Sequence, residues 1–287
     1  MKDAIPKRAK LSERINAYVA SDAPLRAMAG NWSKTAKGAM DEASSLSLER
    51  VFVTLQRLPK KLDGFKIIHL SDIHHSPFTD LRHIERTIKV ANRLRPDLIV
   101  LTGDYVSHER EYIAPVAVAL GNLRSRFGTF ACLGNHDHWT DAELIIRSFR
   151  DAEINVLINE GVRISALGAS FWLAGVDDYM VGKTDVPAAM RGSYPDELKL
   201  LLAHNPIIFR QSVRAKVDLT FSGHTHGGQI KIREGEKRLI RRRKLSSGLH
   251  SRSDSQIYIT RGIGTVVLPV RYQCPPEISL IELKCSE

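Results

Sequence analysis

Apolar and polar positions change period repeatedly along the chain, and each change marks an element. Residues 1–46 show only weak helical periodicity, around Leu11, Ile15, Tyr18 and Val19. They read as a leader of one or two short helices, or flexible chain, outside the main core. Alternation begins at Val51–Leu55, a half-buried strand by its period of two. Phe65–Leu70 is the next strand. Leu81–Leu94 follows as an amphipathic helix, with Ile84, Ile88, Ala91 and Leu94 at helical spacing and Pro96 ending it. Leu98–Leu101 is a continuous apolar strand, and after it come a helix at Ile113–Leu123 and a strand at Thr129–Leu133. A helix at Asp141–Arg150 precedes strands at Arg163–Leu167 and Phe171–Val176. The second half gives strands at Lys199–Ala203, Asp218–Phe221, Gln256–Thr260 and Ile278–Leu283, with a helix at Ile207–Val213. Strand–helix alternation predicts α/β layers, and fully apolar strands predict sheets covered on both faces. The domain organisation expected is a leader, 1–46, and one domain, 47–287.

Composition narrows the class. Hydrophobic residues at 43% and charged residues at 26% exclude a disordered or fibrous chain. Cys132, Cys274 and Cys285 cannot build a disulfide framework and match no CxxC metal pattern, which points to a reducing compartment. The longest apolar runs fall short of a membrane span. The basic N-terminus (Lys2, Lys7, Arg8, Lys10, Arg14) has no apolar stretch behind it, so it does not read as a secretory signal. The location expected is cytoplasmic, with peripheral attachment to the inner membrane surface as an extension of that reading.

The net charge of +10 is uneven: Lys231–Arg252 holds nine Lys/Arg against two Glu. Within it, Arg241-Arg242-Arg243-Lys244 is flanked by Leu239, Ile240 and Leu245. Such a run is either a solvated charged face or a surface that docks onto anionic lipid, at roughly 1 kcal/mol per cation.

The candidate chemistry sits where strands end. Phe65–Leu70 runs into Ser71-Asp72-Ile73-His74, and Leu98–Leu101 into Thr102-Gly103-Asp104. Thr129–Leu133 runs into Gly134-Asn135-His136-Asp137, and Lys199–Ala203 into His204-Asn205. Asp218–Phe221 runs into Ser222-Gly223-His224-Thr225-His226-Gly227-Gly228. Carboxyl ends of parallel strands converge on one crevice, so these polar clusters should meet there. Asp72 and His74 both reach into such a crevice only if the chain bends after the strand. Imidazoles mixed with carboxylates suit Mn²⁺, Fe, Zn²⁺ or Ni²⁺ better than Ca²⁺ or Mg²⁺. Seven ligands are too many for one ion and about right for two that share a carboxylate, the arrangement that activates water and clamps a phosphoryl group.

The series Asp72-x-His74, Gly103-Asp104, Gly134-Asn135-His136-Asp137, His204 and Gly223-His224-x-His226 resembles the calcineurin-like metallophosphoesterase superfamily over about residues 64–284. Leu-Ser-Asp-Ile-His-His at 70–75, Gly-Val-Asp-Asp at 175–178, Gly-His-Thr-His-Gly-Gly-Gln at 223–229 and Cys-Pro-Pro-Glu-Ile at 274–278 look like one branch of it. That branch holds bacterial phosphodiesterases, often membrane-associated, some of them hydrolases of UDP-diacylglucosamine.

The resemblance implies a four-layer α/β fold, a two-sheet sandwich flanked by helices, that hydrolyses a phosphodiester or pyrophosphate of a small or lipid-linked substrate. It implies two divalent ions, with Mn²⁺ favoured. Asp72, His74 and His226 would hold the first, Asp104 would bridge, and Asn135, His204 and His224 would complete the second. His136 would act on the substrate as general acid or transition-state stabiliser, with Asp137 orienting its ring.

Other residues carry plainer expectations. His75 is read as an orienting neighbour of the ligands, and His69 as a structural histidine. His138 and Trp139 are read as pocket lining or helix capping, and Asp177 and Asp178 as turn formers. Arg271 is read as loop packing before phosphate contact, and Cys132 as a core residue. Two other functions compete. A nuclease is disfavoured because the positive charge is one local run without interleaved aromatics to stack bases. A scaffold that kept the fold without metals is disfavoured because every ligand position is filled. No obligate protein partner is expected.

Overall fold

The computed structural model describes residues 29–230, 245–266 and 268–286; Lys231–Lys244, the centre of the basic run, lies outside the described residues. Helix α1 (Ala29–Ser44) leads into edge strand β1 (Ser47–Leu55). Then follow β2 (Lys66–Leu70), α2 (Leu81–Arg93), β3 (Leu98–Thr102), α3 (Ile113–Leu120) and β4 (Thr129–Cys132). Next come α4 (Asn135–Thr140), α5 (Ala142–Asp151), β5 (Asn155–Val156), β6 (Glu160–Ala166) and β7 (Ala169–Gly175). The chain closes with α6 (Val186–Ala189), β8 (Lys199–Leu202), α7 (Phe209–Arg214), β9 (Leu219–Ser222), β10 (Gly248–Arg252), β11 (Ser255–Ile259) and β12 (Glu277–Cys285).

The strands form two mixed sheets of six, in the orders β1-β12-β2-β3-β4-β5 and β10-β11-β9-β8-β7-β6. In the first, β2, β3 and β4 run parallel, with Ile68 opposite Ile99 and Leu101 opposite Ala131. In the second, β7, β8, β9 and β11 run parallel. Antiparallel pairs lie at or near the edges, at β2–β12, β6–β7 and β10–β11. The two faces of each strand bury different things, because side chains alternate across a sheet. Ile67, Leu98, Val100 and Phe130 face Phe171, Leu173, Leu200 and Phe221 between the sheets. Ile68, Leu70, Ile99 and Leu101 point outward onto Ile84 and Ile88 of α2, Val116 of α3 and Phe149 of α5. Ala174, Leu201 and Ala203 cover the far side against Val186, Ala189 and Ile208. Helix, sheet, sheet, helix gives four layers, the sandwich expected from the resemblance.

Departures from the sequence reading sit at edges and helix ends. β1 begins at Ser47 rather than Val51, because its first half is a partly exposed edge ladder with polar side chains. β6 likewise begins at Glu160 rather than Arg163. β10 (Gly-Leu-His-Ser-Arg) has no apolar face to announce it and pairs only with β11. α3 stops at Leu120, and Gly121–Leu123 continue as turns. The Gly-Asn-His-Asp cluster is the start of a helix, α4, in which Asp137 accepts the Gly134 N–H at 2.8 Å.

The return between β11 and β12 backs the site, and Arg271 holds it from within. Fully buried, its guanidinium donates to the carbonyls of Arg261, Gly262, Gly264 and Cys274. Burial pulls its pKa below the usual arginine value. Arg271 is therefore loop packing, not a phosphate contact. α1 is tied to the same return: Ala39 accepts the Arg271 N–H, and Glu42 accepts those of Gln273 and Cys274. Arg271→Met should lower the unfolding free energy by about 3 kcal/mol, because several buried carbonyls lose their donor. Urea unfolding reads the change; a loss under about 1 kcal/mol would mean the carbonyls find other partners.

Candidate metal centre

The loops after β2, β3, β4, β8 and β9 close over the same end of both sheets. Asp72 N–H donates to Gly103 at 2.9 Å and His74 N–H to Asp104 at 3.0 Å, which laces the first two loops together. Gly264 N–H donates to the Asp72 carbonyl at 2.7 Å from the β11–β12 return. The bend expected between Asp72 and His74 is present as left-handed backbone at both, φ 52° and 47°. Asp104, His224 and His226 share that conformation at 56°, 68° and 50°. An L-residue held there costs about 1–2 kcal/mol, so five such positions among seven predicted ligands mark backbone bent to aim side chains. Two glycines make room. A Cβ on Gly134 would lie 2.6 Å from the Asp104 nitrogen and against its carboxylate, and one on Gly223 would collide with the Asp72 carboxylate.

Six of the seven predicted ligands form overlapping donor sets whose ligand atoms lie within 4.8 Å of one another. Asp72, His74 and His226 make one, and Asp104, His204 and His224 another; a third joins His74, Asp104 and His136. The seventh, Asn135, is buried at the first position of α4, and its Oδ1 has no hydrogen-bond partner. Asp104 Oδ2 lies between the halves, 3.1 Å from His204 Nε2 and 3.5 Å from His74 Nε2. Asp72 Oδ1 is 3.3 Å from His226 Nε2. Imidazole nitrogens also face one another: His74 Nε2 and His226 Nε2 at 3.1 Å, His224 Nδ1 and His204 Nε2 at 3.2 Å.

Charge at the site follows from burial and neighbours. Burial alone would raise Asp104, but His204 outweighs it and holds the carboxyl below the usual range. Asp72 is likewise held well below that range, burial being overcome by His226. Burial pushes His74 down to about 3 and keeps it neutral. Burial opposes a proton on His204 too, yet the Asp104 carboxylate lifts the ring to about 10. Two buried carboxylates thus meet a ring of imidazoles whose nitrogens face one another. Divalent cations fit such a donor set: they balance the buried carboxylates and take up the facing nitrogens.

The Thr102 carbonyl, 2.6 Å from His204 Nδ1, can only accept, so the hydrogen sits on Nδ1 and Nε2 faces the cluster. His136 is oriented the same way, with Nδ1 2.8 Å from the Ser107 carbonyl. This corrects the role expected of Asp137. Its carboxylate does not contact the His136 ring; it accepts backbone N–H groups of Asp104, Tyr105 and Gly134. Burial, then the nearby Asp104 charge, pushes it up to about 7. Asp137 is a clasp between the β3 and β4 loops. Ser107 and Thr102 act through carbonyls, which no side-chain pattern reveals, and the Gly262–Gly264 return lies outside every quoted motif except as spacing.

The remaining candidates are structural. His69 Nε2 bonds Thr102 Oγ1 at 2.7 Å inside the core, and burial lowers it to about 3. His75 Nδ1 bonds the Thr79 carbonyl at 2.9 Å. Asp177 accepts from His138 at 2.7 Å and from the Asp178 and Lys183 N–H groups, while Asp178 accepts those of Met180 and Val181. Cys132 is fully buried on β4.

Residues 65–228, more than half of the chain, match the calcineurin-like phosphoesterase family model. The chain belongs to that family. As a calcineurin-like phosphoesterase it is a metal-dependent phosphoester hydrolase, and the family's binuclear metal centre fits the donors just described. It is 35% identical over 225 residues to the phosphodiesterase YaeI of Escherichia coli, 76% of this chain and 82% of that one. The metallophosphoesterase YkuE of Bacillus subtilis is 31% identical over 235 residues, 80% and 82% of the two chains. A bovine transmembrane protein with a metallophosphoesterase domain is 32% identical over 87% of this chain, which spans 60% of its length. Among solved structures, TT1561 of Thermus thermophilus overlays 70% of this chain and 90% of its own, with a TM-score of 0.49 at 13% identity. Among the described residues no helix is long and apolar enough to cross a membrane.

Asp104→Asn in this calcineurin-like phosphoesterase should lose both ions together, because one carboxylate oxygen faces both halves of the cluster. Metal analysis after gel filtration reads this directly. Near-normal turnover with both ions retained would remove Asp104 from the shared position.

Proposed function

We propose that this enzyme is a phosphodiesterase or pyrophosphatase, with Asp72, His74 and His226 on one ion, Asn135, His204 and His224 on the other, and Asp104 shared. The observation that carries the reading is Asp104 Oδ2 facing His74 from one donor set and His204 from the other. Support for a diester comes from the similarity to YaeI, a phosphodiesterase. Bound divalent ions would supply Lewis acidity and a water acidic enough to act near neutral pH.

This chain's residues do the rest. The backbone N–H of His136 donates to Asp104 Oδ1 at 2.9 Å, which keeps Oδ2 turned to the donors. The N–H of His224 is shared between the two oxygens of Asp72, at 3.0 and 3.1 Å, and fixes the plane of that carboxylate. The Ser107 carbonyl holds the hydrogen of His136 on Nδ1, so a second proton, on Nε2, is the one it can give. A ring nitrogen of His136 lies within 4.8 Å of donor atoms of His74 and Asp104, where a phosphoryl group on the donors would sit. There an Nε2–H stabilises the charge that builds on phosphoryl oxygens, or protonates the departing alkoxide.

With Mn²⁺ added, bis-p-nitrophenyl phosphate should be hydrolysed faster than p-nitrophenyl phosphate, and chelation should abolish both activities. The reverse order would make the enzyme a monoesterase. His136→Ala should lose roughly 10²–10⁴-fold in turnover on bis-p-nitrophenyl phosphate while keeping its metal content. A metal-free variant would make His136 a ligand instead of the proton donor.

A further inference from the structure

Three rings touch one another just outside the donor cluster. His136 is nearly buried and meets His74 edge-on, 4.8 Å between centroids at 89°. On its outer side it meets Trp139 at 4.8 Å and 67°, and His108 at 4.9 Å and 48°. Trp139 and His108 are nearly parallel, 19° apart in plane and 6.5 Å between centroids. The rings therefore lead from the donors, through His136, to two aromatic faces at the surface. His108 is exposed, and Trp139 is 51% exposed although it follows Asn135, His136 and Asp137, all buried, on α4. Beside α4, the loop clipped by the His138–Asp177 bond exposes Tyr179, Met180 and Val181 at 46%, 54% and 40%. A phosphate ion alone has no use for this apolar, aromatic mouth. The organic half of a phosphoester does.

We propose that Trp139 and His108 form a stacking platform for a planar ring carried on the leaving group, so that esters of aromatic or heteroaromatic alcohols are preferred over saturated ones. The inference rests on the phosphoester reading above and on His136 lying beside the leaving oxygen. Both platform rings contact His136, at 4.8 and 4.9 Å between centroids, so a ring stacked on them carries its ester oxygen next to the proton donor. Stacking rewards a flat π-face and gives nothing extra to a puckered ring of the same size, so the platform discriminates by shape as well as hydrophobicity. Trp139 supplies the larger face; His108 adds a second.

The test uses the full-length, Mn²⁺-loaded protein and three non-hydrolysable probes: inorganic phosphate, phenylphosphonate and cyclohexylphosphonate. Wild type should bind phenylphosphonate about tenfold tighter than cyclohexylphosphonate by calorimetry or competitive inhibition. The ratio should fall toward one in Trp139→Leu and part of the way in His108→Leu, with inorganic phosphate reporting the donor cluster of each variant. Equal wild-type affinity for the two phosphonates, or a ratio unchanged in Trp139→Leu, overturns the platform and leaves hydrolysis standing. If neither phosphate nor the phosphonates bind the wild type, the phosphoester reading itself falls, and the platform with it.

Discussion

Carboxylates buried at the ends of strands must be compensated, and the loops of this protein are arranged to do it. Asp72 and Asp104 have almost no contact with water. An isolated charge in such a place costs several kcal/mol even after relaxation. Part of the compensation is internal: His204 lies against Asp104 Oδ2, the His136 N–H donates to Asp104 Oδ1, and the His224 N–H reaches both oxygens of Asp72. Asp104 Oδ2 is left facing imidazoles on both sides, which together with the unpartnered Asn135 Oδ1 makes a site shaped for cations.

The fold exists to bring those groups to one end. β2, β3 and β4 of one sheet and β8 and β9 of the other end together, so the site spans the seam between sheets and is not the crevice of a single sheet. Left-handed backbone at five of the proposed ligands and close packing at Gly134 and Gly223 store the strain of that convergence. Asp137 clasps the β3 loop to the β4 loop, and Arg271 stiffens the return that donates to Asp72. Both hold backbone that carries donor residues, Asp104 in one case and Asp72 in the other.

Much of this is legible in the sequence for a simple reason. A continuous apolar run that breaks into Asp, Asn or His marks both the strand and the site, and all five breaks converge in space. Elements lacking that contrast are harder to read. β10 has no apolar face, β1 begins in polar edge residues, and α4 hides in a Gly-Asn-His-Asp string whose residues favour turns. Asp137 shows another limit of residue type: a carboxylate next to a histidine in sequence suggests a ring partner, whereas the helix turns it toward backbone N–H groups. The partners that do fix the rings, the carbonyls of Ser107 and Thr102, belong to main chain and leave no trace in residue type.

The central claim is that one carboxylate, Asp104, organises two adjacent ions. Crystals grown with Mn²⁺ and measured for anomalous scattering test it most directly. Two peaks roughly 3.5–4 Å apart are expected, with Asp104 Oδ2 bonded to both, Asp72, His74 and His226 on one and Asn135, His204 and His224 on the other. A single peak, or two peaks with Asp104 bonded to only one, would contradict the account.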